Sequence, residues 1–342
     1  MVRGLNRVFR TALIVIPIGV IGNVLFSLLV TDRALLSAMG DFPREYLVLA
    51  LVLGIVPWFT NALRLLIWTR FLGHRVSLLE TFRIVLATDL GAAVSPTAVG
   101  GGFFKWGLLV QRGVSPGAAA SLTTLTPFED GLFFAIAIPL ALVLTASWDH
   151  PVFGTVAGQL GEHGVALGGL TLAVALLTWL GARWVMGGGF GSRTQYRSRR
   201  YLLRVRRSLR STWVDARQVY RLIRVTGKRW FALSMVLTAI QWIARYSIIS
   251  ALIAFLGAPV QPVLFWLLQW VVFTLAAFIP TPGAAGGAEA AFFLVYGVFV
   301  PPSILGLATA GWRFFTFYLL LAIAALLYLI TGPAVRRLRP VG

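Results

Sequence analysis

The chain has 342 residues and no cysteine, 58% of its residues are hydrophobic, and its mean hydropathy is +0.84. This composition excludes a soluble protein, disulfides, thiolate catalysis and cysteine-ligated metal. No GxxxxGK[ST] motif occurs, which excludes ATP binding by that device, and no cofactor is expected. Several apolar stretches have the roughly 17–25 residues of a transmembrane helix, which predicts an all-α polytopic membrane protein.

The elements predicted in chain order are six full spans and two interrupted segments. The interrupted segments, 78–110 and 262–299, contain proline-glycine breaks and are expected to enter the membrane and return to the same side as re-entrant helical hairpins. The full spans are predicted at 11–30, 46–68, 128–147, 164–182, 231–256 and 304–330.

The basic residues are distributed unevenly among the loops. Segment 183–229 carries thirteen arginines and Lys228 against Asp215, whereas segment 148–163 has no lysine or arginine. By the positive-inside rule this places both termini and the 183–229 loop in the cytoplasm. The expected location is a cytoplasmic (inner) membrane of the bacterial type. A net charge of +19 would indicate nucleic acid in a soluble protein, but this distribution does not.

Apolar residues recur every three or four positions within the basic loop, from Leu202 to Ile223. This spacing is typical of a helix that lies in the membrane interface. The arginines around it would bind an anionic cytoplasmic leaflet, either as a topological anchor or to recruit lipid or a partner.

An internal repeat relates the two interrupted segments. Residues 95–124 align without a gap to residues 281–310 and place Pro96 on Pro282. Repeat A is assigned to 46–147 and repeat B to 231–330 within one transmembrane domain, 1–342. Under the predicted topology the repeats have opposite orientations, which is the architecture of secondary transporters. The backbone positions expected to form the two breaks are Pro96, Gly100, Gly101, Pro282, Gly283, Gly286 and Gly287.

Ten charged residues lie in or near apolar segments. Each charge at the bilayer centre costs about 2.5–3.5 kcal/mol, so partners or a polar cavity are expected. The cations either form structural ion pairs or converge on an anionic head group. Glu80 and Arg83 are read as a local surface pair, and the adjacent Glu129 and Asp130 are expected to point to different faces. The candidate head-group and cavity residues are Arg64, Asp89, Lys105, Arg245, Glu289 and Arg313, with Glu129 and Asp130 as further candidates.

Three roles are open for Asp89: pairing with a span arginine, capping the returning half-helix, or carrying a proton. Glu289 falls in the first turn of the second half-helix, where the helix dipole favours any carboxylate. The alternative is a buried pair between Glu289 and either Arg313 or Arg245.

At the two break motifs the sequence resembles the transmembrane, flippase-like region of lysylphosphatidylglycerol synthase and its stand-alone relatives. The most specific match is P-x-P-G-x-x-G-x-x-E, which runs here from Pro280 to Glu289, and the resemblance covers about residues 10–332. The chain departs from the family at two places. Gly102 or Phe103 takes the place of an acidic residue that often follows the glycine pair, and Glu129-Asp130 stands where an acid-arginine pair is usual.

The resemblance implies movement of lipids or lipid-linked precursors between leaflets, without lysyl transfer. The function expected from the sequence is therefore a non-enzymatic lipid translocase for a phospholipid or lipid-linked phosphate. The alternatives are an intramembrane enzyme acting on a lipid or polyprenyl phosphate, and a non-transporting protein that presents lipid to a synthase. The partners considered are membrane phospholipid, a separate lipid synthase and a second copy of the chain; nucleic acid is not expected.

Overall fold

A computed structural model describes residues 43–93, 95, 99–146, 214, 217–277 and 283–331. Over these ranges the chain is helical and contains no strand. The predicted spans 11–30 and 164–182 lie outside the described residues, as do most of 183–229 and the break residues Pro96 and Pro282.

Nine helices, one π-helical segment and the helical residues 217–226 form the described fold. The last long helix is interrupted at Phe314–Tyr318 by the π segment, directly after Arg313. The helices are α1 Glu45–Phe71, α2 Leu78–Ala93, α3 Val99–Gln111, α4 Pro116–Thr145, α5 Lys228–Phe255, α6 Pro262–Ala277, α7 Gly287–Tyr296, α8 Pro302–Arg313 and α9 Leu319–Ile330.

Four of these elements are long and apolar enough to cross a membrane: α1, α4, α5 and the run Pro302–Ile330. The chain is therefore a multi-pass membrane protein. The span predicted at 128–147 is wrong at its start, because α4 begins at Pro116 and continues through Pro127 and Pro139 for 30 residues. Pro116 can begin this helix because the first helical position needs no backbone N–H donor, and Ser115 caps it by accepting from Ala118 N.

Helix lengths repeat along the chain. Helices α1 and α5 have 27 and 28 residues, and α2 and α6 have 16 each. Helices α3 and α7 have 13 and 10 residues. The fourth element has 30 residues in the first set and 29 in the second. Both fourth elements begin at the aligned prolines, Pro116 and Pro302. This order supports the duplication inferred from sequence.

Each set of four helices has its own core. In the first set, Leu65, Ile84, Leu109 and Leu122 pack together from α1 to α4. In the second set a larger cluster joins α5, α6, α7 and α8. Helices α1 and α5 pack extensively against each other, and α9 lies against α2. This packing brings the C-terminal end of α2 to the same region as the break between α6 and α7.

The described end of the basic loop packs on the protein. Residues 217–226 are helical and bury Val219 and Ile223 against the core of the first set. The hydroxyls of Tyr220 and Thr124 share a hydrogen bond of 2.7 Å. At this end, the apolar face predicted to lie in the membrane interface is at least partly covered by α1–α4.

Candidate functional site

Arg64 is the centre of a buried ionic cluster between α1, α4 and α5. Its side chain is 2% exposed. Nη2 donates to Glu129 Oε2 at 2.7 Å, and Nη1 donates to Asp130 Oδ1 and to Gln241 Oε1, both at 2.9 Å. The backbone carbonyl of Thr126 accepts from Nη2 at 3.2 Å. All three guanidinium nitrogens therefore have partners, and the charge is enclosed by protein.

The prediction that Glu129 and Asp130 point to different faces is wrong. Both carboxylates reach the same guanidinium, because a long arginine side chain can lie across α4 and contact two adjacent residues. Glu129 is 1% exposed, and its second oxygen accepts from Trp68 Nε1 at 3.0 Å. This carboxylate is a buried structural group.

Lys105 lies beside this cluster, where Nζ donates to Thr126 Oγ1 at 2.7 Å. Its charge interacts with those of Arg64, Glu129, Asp130 and Asp89. Lys105 thus borders the Arg64 cluster and also interacts with the charge of Asp89.

The predicted surface pair of Glu80 and Arg83 is also wrong. Glu80 Oε2 accepts from the backbone N and the hydroxyl of Ser77, and the Ser77 hydroxyl accepts from Glu80 N, which is a capping box at the start of α2. Arg83 is 4% exposed and belongs to the interior.

A second ion pair lies at the break between α6 and α7. Arg313 Nε lies 2.8 Å from Glu289 Oε1, and Arg313 Nη2 donates to the carbonyl of Gly283. The guanidinium covers the ring of Phe317 at 4.3 Å from its centroid. The contact with Glu289 is electrostatic rather than a well-aligned hydrogen bond, and Glu289 Oε2 is buried without a hydrogen-bond partner among the described residues. Of the two partners considered for Glu289, the structure places Arg313 there.

A cavity of about 360 Å³ lies between the two sets of helices. Helices α1, α2, α5 and α6 form part of its walls, with α2 contributing its C-terminal end. The rest comes from the break at Gly283 and Ala284, from α7, the last residue of α8, the π segment and α9. The lining is mostly apolar, with three charged residues: Asp89, Arg245 and Arg313. The structure thus divides the candidate residues: Asp89, Arg245 and Arg313 line this cavity. The other candidates do not line it: Arg64, Lys105, Glu129, Asp130 and Glu289.

Asp89 and Arg245 face the cavity without contacting each other. Trp58 Nε1 donates to Asp89 Oδ2 at 2.9 Å. The Arg245 guanidinium lies 5.9 Å from the ring centroid of Trp242 and 5.8 Å from that of Phe273. The charges of Asp89 and Arg245 interact, but no described carboxylate oxygen lies within 4.0 Å of Arg245. Both charges are accessible from the cavity.

Glycine is required in the two breaks for different physical reasons. A Cβ on Gly100 would lie 2.7 Å from Gly91 O, and one on Gly101 would lie 2.8 Å from Thr88 O. These glycines therefore let α3 approach the backbone of α2. In the second break Gly283 and Gly286 have φ angles of +61° and +82°, which favour glycine, and a Cβ on Gly283 would also overlap the Phe317 ring.

The first of the two residues between those glycines is strained. Ala284 has a φ angle of +54°, a region that residues with a Cβ rarely adopt, and it lines the cavity. The starts of the returning helices also differ. Ser95 Oγ accepts from Gly100 N at 2.9 Å, whereas Gly286 at the start of α7 provides no side-chain cap.

Sequence reasoning missed several residues of these sites, among them Trp58, Gln241 and Thr316. Trp58 positions Asp89, Gln241 completes the Arg64 cluster, and Thr316 lines the cavity from the π segment. The signal for Gln241 was a polar amide inside an apolar helix. Trp58 and Thr316 gave no comparable signal, because both residue types are common in transmembrane helices.

Comparisons with known proteins agree with the helical plan. A family model described as the lysylphosphatidylglycerol synthase TM region matches residues 12–324. A UPF0104 membrane protein from Archaeoglobus fulgidus is 25% identical over 281 residues, which cover 80% of this chain and 82% of that protein. The family match includes both breaks, the Arg64 cluster and all residues that line the cavity.

Proposed function

The chain belongs to the lysylphosphatidylglycerol synthase transmembrane family, and from this membership and the cavity we propose that it is a lipid translocase. It moves a phospholipid or a lipid-linked phosphate between the leaflets of the cytoplasmic membrane without covalent change. The head group enters the cavity between the two breaks, and the acyl chains stay in the surrounding lipid.

The observation that carries this proposal is a cavity with charged walls in an apolar membrane protein. Arg245 and Asp89 face it without a direct ion pair, and Arg313 borders it beside Gly283. Charges inside a membrane are costly and typically face a cavity or a substrate path. A phosphate held there would accept hydrogen bonds from an arginine, whose planar guanidinium binds phosphate oxygens bidentately.

In the proposed topology the short helices do not cross the membrane but form re-entrant hairpins. Helices α2 and α6 span about 24 Å and α7 about 15 Å at a rise of 1.5 Å per residue, which is less than the hydrocarbon thickness of about 30 Å. We place α2–α3 and α6–α7 as re-entrant hairpins that enter from opposite sides, with both termini cytoplasmic. Irregular backbone such as 283–286 is tolerated at membrane depth where it lines a cavity.

The test is leaflet exchange by the purified chain in proteoliposomes. Wild type should exchange an acyl-labelled phospholipid faster than empty vesicles do. Arg245→Gln should lower the rate, whereas Arg44→Gln, an exposed arginine before α1, should not. Exchange no faster than in empty vesicles contradicts the proposal.

The same vesicles distinguish the two alternatives. Lipids recovered afterwards should have unchanged masses, since a covalent product would indicate the enzyme. Exchange that required an added synthase would indicate the lipid-presenting protein.

A further inference from the structure

We infer that the cavity selects a zwitterionic phospholipid head group, with its phosphate at Arg245 and its ammonium at Asp89. The inference rests on the proposed function, because it names the substrate class of the same cavity. It starts from one geometric contrast: two opposite charges line a common cavity without touching each other.

The ion pair at the break and the ion pair in the Arg64 cluster are both in direct contact. Arg64 and Glu129 are 2.7 Å apart, and Arg313 and Glu289 are 2.8 Å apart. Asp89 and Arg245 interact only over a longer distance, across space that belongs to the cavity. A ligand that carries one negative and one positive group fits between two such walls, because each of its charges meets an opposite one.

The Arg245 side of the cavity is suited to a phosphate. Aromatic rings of Trp242 and Phe273 lie near the guanidinium at 5.9 and 5.8 Å, and a guanidinium offers five N–H donors in a fixed plane. Donors that lack a partner here would gain one from phosphate oxygens.

The Asp89 side is suited to an ammonium. The carboxylate accepts one hydrogen bond from Trp58, and its oxygens have capacity for further donors. Trp58 itself also lines the cavity beside this carboxylate. The twelfth residue of α2 is Asp89, whereas the twelfth residue of α6 is Phe273. The two repeats therefore contribute different groups at equivalent positions, a carboxylate and a phenyl ring.

The formal charge of the cavity walls disfavours anionic and purely cationic head groups. Arg313 is already neutralised by Glu289, so Asp89 and Arg245 leave the cavity walls formally neutral. An anionic head group could place its phosphate at Arg245, but it has no ammonium of its own to pair with the Asp89 carboxylate. A purely cationic group would leave Arg245 without a partner. The volume of about 360 Å³ lies within the usual range of ligand cavities.

The experiment compares two acyl-labelled probes, phosphatidylethanolamine and phosphatidylglycerol, in vesicles made of both lipids with the full chain reconstituted. Wild type should exchange the phosphatidylethanolamine probe about tenfold faster, a difference of about 1.36 kcal/mol in the barrier, because only this probe has an ammonium that can pair with the Asp89 carboxylate. Asp89→Asn should remove most of that preference, and Arg245→Gln should slow both probes, because both carry phosphate.

The Asp89→Asn variant keeps an oxygen that can accept from Trp58, so the fold should be retained. Its elution profile and melting temperature in detergent check this. Glu45→Gln removes an exposed carboxylate at the start of α1 and should change neither rate. The wild-type ratio of the two rates is informative even if Asp89→Asn fails to fold.

Equal rates for the two probes in wild type would overturn the zwitterion assignment and leave translocation standing. Asp89→Asn slowing both probes alike would overturn it as well. If neither probe crosses faster than in empty vesicles, the proposed function fails together with this inference.

Discussion

Two polar centres of this molecule use similar residues in opposite ways. Arg64 is enclosed at 2% exposure, and all its guanidinium nitrogens donate to carboxylates, an amide or a carbonyl. Arg245 is half-buried, lies beside a cavity and has no described carboxylate oxygen within 4.0 Å. A buried charge with all its partners contributes to holding helices together, whereas a charge left beside a cavity is available to a ligand. Structural pairing and ligand binding are therefore not alternatives for the whole set of cations, but apply to different members of it.

The largest expected effect comes from Arg64→Met. The change leaves the 1%-exposed Glu129 as a buried charge without its cation, and breaking such a pair costs about 3–5 kcal/mol. Thermal unfolding in detergent should show a clear loss of stability. Arg70→Met, at an exposed position of the same helix, is the control. A melting temperature equal to that of wild type would show that the cluster is not structural.

Neutralising both partners should recover part of this loss. In Arg64→Met/Glu129→Gln no charge is left unpaired at Glu129, so the double variant should be more stable than Arg64→Met by roughly 1–3 kcal/mol. The double-mutant cycle measures this coupling. Additive effects of the two changes would mean that the pair contributes nothing beyond its separate side chains.

An intermediate effect is expected at the break beside the cavity. Gly283→Ala demands a φ angle of +61° from alanine and places a Cβ against the ring of Phe317. The conformational cost is about 1–2 kcal/mol, and the overlap adds about 1–3 kcal/mol. Gly286→Ala has a φ angle of +82° but no atom within 4 Å of the new Cβ, so it should lose only the conformational part.

Helix α4 offers a matched control for these glycine variants. A Cβ on Gly131 meets no atom within 4 Å and lies inside a regular helix, so Gly131→Ala should be neutral or stabilising by up to about 1 kcal/mol. Equal losses for all three alanine variants would contradict the assigned roles of the break.

The smallest effect on stability, with a large effect on transport, is expected from Arg245→Gln. Its described contacts are two ring contacts at nearly 6 Å, worth about 0.5–1 kcal/mol each at most. The melting temperature should stay near that of wild type while leaflet exchange slows about tenfold, as expected for the loss of one charged hydrogen bond to phosphate. The reverse result, lost stability with normal exchange, would make Arg245 a structural residue like Arg64.

The helices were more predictable than the contacts between them. Apolar length and the proline-glycine breaks placed α1, α5 and both interrupted segments within a few residues, since these signals are local. The partners of Arg64 lie 65, 66 and 177 residues away, and no local spacing indicates such distances. The start of α4 was placed too late because its first turns contain serine, threonine and glycine, which lower the hydropathy although the helix continues.

The absence of cysteine from the chain permits a direct test of whether the head group passes through the cavity. Thr316→Cys is a near-isosteric change in the cavity wall, and Thr226→Cys places the same group on an exposed helix outside it. Modification of Thr316→Cys with a bulky thiol reagent should stop leaflet exchange, while modified Thr226→Cys should exchange like wild type. Exchange at the unmodified rate after complete modification of Thr316→Cys would contradict a path through this cavity.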